Sequence, residues 1–394
     1  MTYQHTLQYL EQSAVAPDSM LSPDALLALA GKVEGRTAAF FLPHDKQGHA
    51  TARYLRRIFK QSGVGCLHLC LEEDVAPRER YIWDDAPISP TLLCEAAAPI
   101  HALEASLRRS HPTYKAGRTA VYFDAALRRA AILLSCAEKG TLRVLILEGE
   151  AAARDERAFC LLIPRLSRIT LVSACDEEQR FALSTLPTSA AVLTHALGGE
   201  AYRRLSDACA RHELRLSVLS HSHFDRRDLT PGAQTLRYDT LADVRLCPGT
   251  SLAALSAVLA VAAARRAAEM LDLSLSDESV RRGLSDFHIP ALCELVSIAP
   301  LVLLDRAETP TEAALTLGDL SELSDTLPRP RHLLVDASLA LGGDLPTGLF
   351  DTVLSLGEPD ITLDPEAATV IIGKQAFLEQ ARDLVCGRTK KAKK

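Results

Sequence analysis

Short apolar runs alternate along the chain with longer stretches of helical period. Ala38 to Leu42 (AAFFL) reads as a buried strand. Thr51 to Ser62 then carries Tyr54, Leu55 and Ile58 on one helical stripe, closed by Gly63. Cys66 to Leu71, Leu142 to Leu147, Arg168 to Ser173, Ala190 to Leu193 and Leu214 to Leu219 read as further strands. Ala120 to Glu138 and the alanine-rich Ser251 to Leu271 read as long helices. Ser276 to Leu284 is a shorter one, opened by the capping pattern S-D-E-S. A new series starts near residue 298. Leu301 to Leu304, His332 to Val335, Asp351 to Leu354 and Val370 to Ile372 are its strands, and Thr311 to Leu317 and Ala376 to Val385 its helices. This alternation predicts two α/β domains with mainly parallel sheets, divided around Ile289 to Ile298.

Length agrees with two domains, since 394 residues exceed one ordinary core. Charge narrows the function classes. Lys+Arg is 44 against Asp+Glu 50, a net charge of −6, which argues against a general nucleic-acid binder. The longest apolar stretch, Leu252 to Ala264, is too short to span a bilayer and runs into Arg265 and Arg266, so no membrane association is expected. The opening MTYQHTLQYLEQ is polar and amphipathic, so no signal peptide is expected in it. Ten cysteines are scattered without a CxxC, which fits reduced thiols and a cytoplasmic location. The tail GRTKKAKK is basic. Between Lys139 and Lys374 there is no lysine at all.

In parallel α/β sheets, ligands bind beyond the carboxyl ends of strands, where helix N-termini offer free N–H groups. The loops after Leu42, Leu71, Leu147, Ser173 and Leu304 are therefore the places to inspect. Familiar motifs are missing there: the chain has neither G-x-S-x-G nor G-x-G-x-x-G. HSHFD (His221 to Asp225) has the spacing of a metal-hydrolase start, but no later histidine cluster completes it. The lone Trp83 in RERYIW reads as strand or loop packing, with substrate stacking as the alternative.

Four stretches carry a family resemblance. They are TYQHTLQYL at the start, RERYIWDDAPIS (Arg78 to Ser89), SDESVRRGLSDFHIPALCELV, and PLVLLDRAETP (Pro300 to Pro310). In order and spacing they resemble the folylpolyglutamate synthase and dihydrofolate synthase family of the Mur ligase superfamily, over nearly the whole chain. The resemblance implies a larger N-terminal Mur-ligase-like, P-loop-type α/β domain over residues 1–292. A smaller C-terminal Rossmann-like α/β domain over 293–386 and a basic tail, 387–394, follow it. It also implies ATP bound between two domains, magnesium ions on the phosphates, phosphorylation of a folate-type carboxylate, and attack on the acyl phosphate by the amine of glutamate.

The residues that such chemistry uses are thinned. A phosphate loop needs glycines, a lysine and a hydroxyl for Mg²⁺. Where the family has GTNGKGS, this chain has HDKQGHA (His44 to Ala50), with Gly48 at the lysine and Ala50 at the hydroxyl. Lys46 lies two residues early and Thr51 one late. Each lost charged hydrogen bond is worth roughly 1.5–3 kcal/mol. Glu148 stands where the family has an acidic magnesium ligand, and Arg154 matches the arginine of its GLGGR run, but the glycines are gone except Gly149, which is out of step. The family's NIGLDH corresponds to VSACDE, keeping Asp176 and placing Glu177 at the histidine. Ser189 replaces the lysine of EKAG. Thr250 and Ala254 replace the histidine and asparagine of G-x-HQ-x-x-N. In DGAHNP, Asp305, Ala307 and Pro310 persist, whereas Glu308 and Thr309 replace His and Asn; Leu292 replaces the arginine of PGR.

Two readings follow. In one, the chain is a non-catalytic homologue that binds a folate-like metabolite or an active paralogue. In the other, it is an active ATP-dependent amide ligase with a rebuilt site. There Lys46, Gly48, Thr51 and Asp305 would meet the nucleotide, and Thr51, Glu148 and Glu177 would hold Mg²⁺. No catalytic residue is assigned in either reading.

Overall fold

The computed structural model describes residues 1–11, 37–43, 45–70, 76–110, 131–137, 142–149, 167–172, 190–195, 199–285, 287–290, 292–339, 341, 348–357 and 366–392. The chain divides into two compact units, Met1–Leu219 with Leu259–Gly283, and Ser220–Val258 with Leu284–Lys394.

The first unit begins with α1 (Tyr3–Glu11), β1 (Ala38–Pro43), α2 (Lys46–Gln61), β2 (Cys66–Leu69), β3 (Tyr81–Trp83), β4 (Ala86–Pro87) and α3 (Pro90–Ser110). After a helical stretch at 131–137 come β5 (Val144–Gly149), β6 (Ser167–Val172), β7 (Ala191–His195), α4 (Gly199–Arg211) and β8 (Arg215–Leu219). The unit also takes the C-terminal half of the long α5 (Ser251–Leu271) and most of α6 (Asp277–Leu284). Its eight strands form one sheet in the order β4-β3-β2-β5-β1-β6-β7-β8. From β2 to β8 every pairing is parallel; β3 and β4 add an antiparallel edge. The strand order reverses around β1, with β5 on one side of it and β6 on the other. Such a switch point opens a crevice at the carboxyl ends of the strands.

Strand alternation assigns the two faces. Leu67, Leu69, Leu145 and Leu147 join a core that includes Leu93, Ala97 and Leu133. The alternate positions, Cys66, His68, Ile146 and Glu148, therefore face the other way. Phe40 of β1 meets Phe59 of α2 on that side, with ring centroids 5.7 Å apart. Helix α2 starts five residues before the apolar stripe predicts. Its first turn is polar and is set instead by Asp45, whose side chain accepts the Gly48 N–H. Helix α6 lies hard against α2. A Cβ on Gly283 would stand 2.7 Å from the Cα of Ile58, so only glycine permits this approach.

The second unit contributes β9 (Phe224–Thr230), β10 (Ala233–Tyr238) and β11 (Leu241–Leu246), an antiparallel sheet that the apolar runs do not predict. It continues with β12 (Glu294–Ile298), β13 (Leu301–Arg306), α7 (Pro310–Glu322), β14 (Arg331–Asp336), β15 (Thr352–Leu356), β16 (Ala368–Gly373) and α8 (Gln375–Ala392). The five-stranded sheet runs β12-β13-β16-β14-β15, parallel except for β12. Both faces are covered. Ala313, Leu317 and Leu320 of α7 pack on Leu303, Leu333 and Val370, while Phe377, Leu378 and Ala381 of α8 pack on Leu304, Leu334 and Ile371. Among the described residues, α5 is the one helix long and apolar enough to cross a membrane, and most of it is buried.

Candidate functional site

The carboxyl ends of β2, β5 and β1 lie side by side in the first unit. The register pairs His68 with Ile146 and Leu69 with Leu147, and Leu42 of β1 with Glu148. One step further along β2 brings Cys70 beside Glu148 on the face that also carries His68. Helix α2 follows β1 after two residues and delivers His49 from its first turn.

Glu148 is fully buried and accepts two imidazole hydrogen bonds. His49 Nδ1 lies 2.9 Å from Oε1, and His68 Nε2 lies 2.9 Å from Oε2. Each imidazole is backed by a guanidinium: Arg53 Nε donates to His49 Nε2 at 2.8 Å, and Arg56 Nη1 approaches His68 Nδ1 at 3.3 Å. A guanidinium can only donate. The ring nitrogens that face the arginines must therefore accept, and the opposite nitrogens carry the protons that point at Glu148. Burial lowers the His68 pKa, and Arg56 adds to this against the pull of Glu148, so the ring is held neutral. Burial pushes the Glu148 carboxyl up, but the adjacent His49 and the hydrogen bonds from His49 and His68 outweigh it. They hold the carboxyl well below the usual carboxylate range. The carboxylate is thus a buried anion served by a symmetric Arg–His–Glu–His–Arg chain. Arg56 continues to Asp85, which Lys60 also holds at 2.8 Å.

The N-terminus of α2 is closed by its own residues. Gly48 N donates to Asp45 Oδ1 at 2.6 Å, and His49 N donates to the Asp45 carbonyl at 2.8 Å. Thr51 is fully buried, and its hydroxyl donates to the Gln47 carbonyl at 2.7 Å. Lys46 is the first helical residue and is half-buried. Lys46, Gly48, Thr51 and Glu148 are therefore brought together in the first unit. Asp305 belongs to the second, where Oδ1 accepts the Cys293 N–H at 2.8 Å and Oδ2 accepts the Thr316 hydroxyl. It ties the segment before β12 and helix α7 to the end of β13. His44, Arg154, Asp176, Glu177 and Ser189 lie outside the described residues.

The motif around Thr250 also ends as a capped helix. Asp319 of α7 accepts the Ser251 N–H at 3.0 Å and the Leu252 N–H at 3.4 Å, and Thr250 Oγ accepts the Ala253 N–H at 3.3 Å. In HSHFD, His223 Nδ1 accepts the Ser220 N–H at 2.8 Å. Trp83 pairs with Leu67 across β3 and β2. Among the described residues, the cluster of three or more metal-competent donors is His49, Cys70 and Glu148. No sequence motif marks His49, His68 or Cys70 as a site. The available signal was the strict alternation in CLHLC, which puts Cys66, His68 and Cys70 on one face.

The apo folylpolyglutamate synthase of L. casei superposes with a TM-score of 0.75 at 17% identity, covering 98% of this chain and 100% of that one. The enzyme from Thermotoga maritima gives 0.69 at 16% identity, covering 98% and 96%. That from Mycobacterium tuberculosis, complexed with ADP, gives 0.69 at 18% identity, covering 99% and 92%. The fold is that of folylpolyglutamate synthases. No protein-family model and no curated protein matches the sequence.

The donors near β1 and β5 differ from those a magnesium–nucleotide site draws on. Mg²⁺ demands a near-octahedral set of oxygens and keeps several waters. Here the close neighbours of Glu148 are two imidazoles and a thiol rather than further oxygens.

Proposed function

We propose that this chain is a folylpolyglutamate-synthase-like protein that does not perform ATP-dependent ligation and acts instead by binding, either a folate-like metabolite or an active synthase partner. The observation that carries this reading is the short turn from β1 to α2. Only two residues separate strand from helix, and the amides of Gly48 and His49 are spent on Asp45. A phosphate cradle works by leaving such amides converging on an anion. Here a fixed carboxylate takes that role, and a triphosphate would meet the negative charge of Asp45 where the family has a glycine-rich loop. The Thr51 hydroxyl, directed back along its own helix, is poorly disposed toward a metal on the phosphates.

Calorimetric titration of the full chain with ATP and Mg²⁺ tests the proposal. The expected result is no binding heat up to millimolar nucleotide, and no phosphate release with folate and glutamate present. Sub-millimolar, magnesium-dependent binding that Lys46→Ala weakens would overturn it in favour of a rebuilt ligase.

A further inference from the structure

We infer that His49, Cys70 and Glu148 form a binding site for a borderline-soft divalent cation of the zinc type. One ligand atom from each lies within 4.8 Å of the other two. A zinc ion takes imidazole nitrogen and carboxylate oxygen at about 2.0–2.2 Å and thiolate sulfur at about 2.3 Å, so modest side-chain contraction brings all three into range. The mixture of N, S and O donors favours zinc over the hard, oxygen-seeking Mg²⁺. Three protein ligands leave one position for water, the pattern of an open zinc site. Access lies on the side of His49, whose side chain is 21% exposed while Glu148 is sealed.

Residues behind the ligands support the site. His68 Nε2 holds Oε2 of Glu148 and leaves Oε1 directed toward His49. Arg56 in turn fixes the His68 tautomer. Such outer contacts orient metal ligands in the way that a carboxylate–histidine pair does. Coordination through His49 Nδ1 moves the ring proton to Nε2, so Arg53 must swing off that nitrogen, and the Cys70 thiol releases its proton to solvent. Hydrogen bonding between His49 and Glu148 is the metal-free state of the same pair.

The test uses the full chain, stripped with a chelator and free of nucleotide, so its outcome is separate from that of the ATP titration. Co²⁺ is titrated first, and Zn²⁺ is then added to displace it. The expected result is one equivalent bound with a thiolate-to-Co²⁺ charge-transfer band that Zn²⁺ abolishes and excess Mg²⁺ leaves intact. Cys70→Ser loses the band. His49→Gln, at a partly exposed position, weakens binding and serves if the cysteine variant does not fold. His68→Gln keeps the band but binds roughly 10–100-fold more weakly, as loss of an outer-shell contact does. Absence of the band, its survival in Cys70→Ser, its displacement by Mg²⁺, or unchanged affinity in His49→Gln would each overturn the assignment.

Discussion

Glu148 in the first unit and Asp319 in the second are both buried carboxylates beside the first turn of a helix, yet their acidities move in opposite directions. Glu148 sits well below the ordinary carboxylate range, although burial alone would raise it. Asp319 is raised by burial, and the hydrogen bonds from Ser251 and Leu252 with the charge of Arg226 only partly offset it. The difference lies in the donors. Glu148 receives two imidazole N–H groups at 2.9 Å, each backed by a guanidinium. Asp319 receives backbone amides at 3.0 and 3.4 Å, while Arg226 spends itself on Gln234, Ser251, Gly249 and Glu322. Burial depth therefore does not decide the state of a carboxylate; the number and alignment of donors aimed at it do.

The largest effect expected is from Glu148→Ala. Two imidazole N–H groups lose their buried acceptor at once, and breaking a buried charged contact from one side costs about 3–5 kcal/mol. Urea denaturation measures this. A loss near 1 kcal/mol, the worth of one ordinary hydrogen bond, would mean that the network is not the tight anion site described. The sign with pH is fixed by the lowered pKa. The stabilisation is present above the carboxyl's unfolded value and is lost only as pH falls through the lower folded value, so the wild type keeps it into strongly acidic solution.

A second substitution moves a donor without touching the carboxylate. Gly283→Ala forces α6 and α2 apart at Ile58, where the new Cβ would lie 2.7 Å from Cα and 2.8 Å from N. Overpacking of this kind costs about 1–3 kcal/mol. Because His49 rides on α2, the variant is expected to weaken the His49–Glu148 contact as well. Proton NMR of the imidazole N–H resonances would register it as faster exchange of the His49 signal, with His68, anchored on β2, less affected. Equal change at both would break the claim that α2 alone carries the first donor.

Much of this frame was legible from sequence, for a physical reason. Strands such as AAFFL and LRVLIL are buried on both faces of a parallel sheet and read as continuous apolar runs. The sheet of β9–β11 was not legible. Its strands FDRRDLT, AQTLRY and LADVRL face outward at alternate positions, and the inward-reaching Arg226 breaks the apolar pattern. Helix α2 is legible only through its apolar stripe, and the polar turn from Lys46 to Ala50 carries no such signal. Glu148 could be found because a carboxylate ending a central strand stands out. Its partners could not. His68 lies 80 residues away in sequence and Cys70 just past the end of β2, and their meeting with Glu148 depends on β5 inserting between β1 and β2. That placement is a property of topology, which no local spacing records.

Asp319→Asn sharpens the comparison most finely and carries the smallest effect. Asparagine keeps one carbonyl oxygen for the Ser251 N–H and loses the second acceptor for Leu252, which costs at most about 1 kcal/mol. The cost should depend on pH in a direction opposite to that at Glu148. The folded pKa of Asp319 lies above its unfolded value, so its protonated form is the one that folding favours. That contribution is complete below the unfolded value and is lost as pH rises through the raised folded one. Wild type therefore loses stability over this window, whereas the asparagine variant, which cannot ionise, does not. Denaturation midpoints of both proteins, taken stepwise from acidic to neutral pH, should show the gap closing as pH rises. A gap that widens as pH rises would mean that Asp319 is served by its donors as well as Glu148 is, and a constant gap that its acidity is unmoved by folding; either would end the contrast between the two carboxylates.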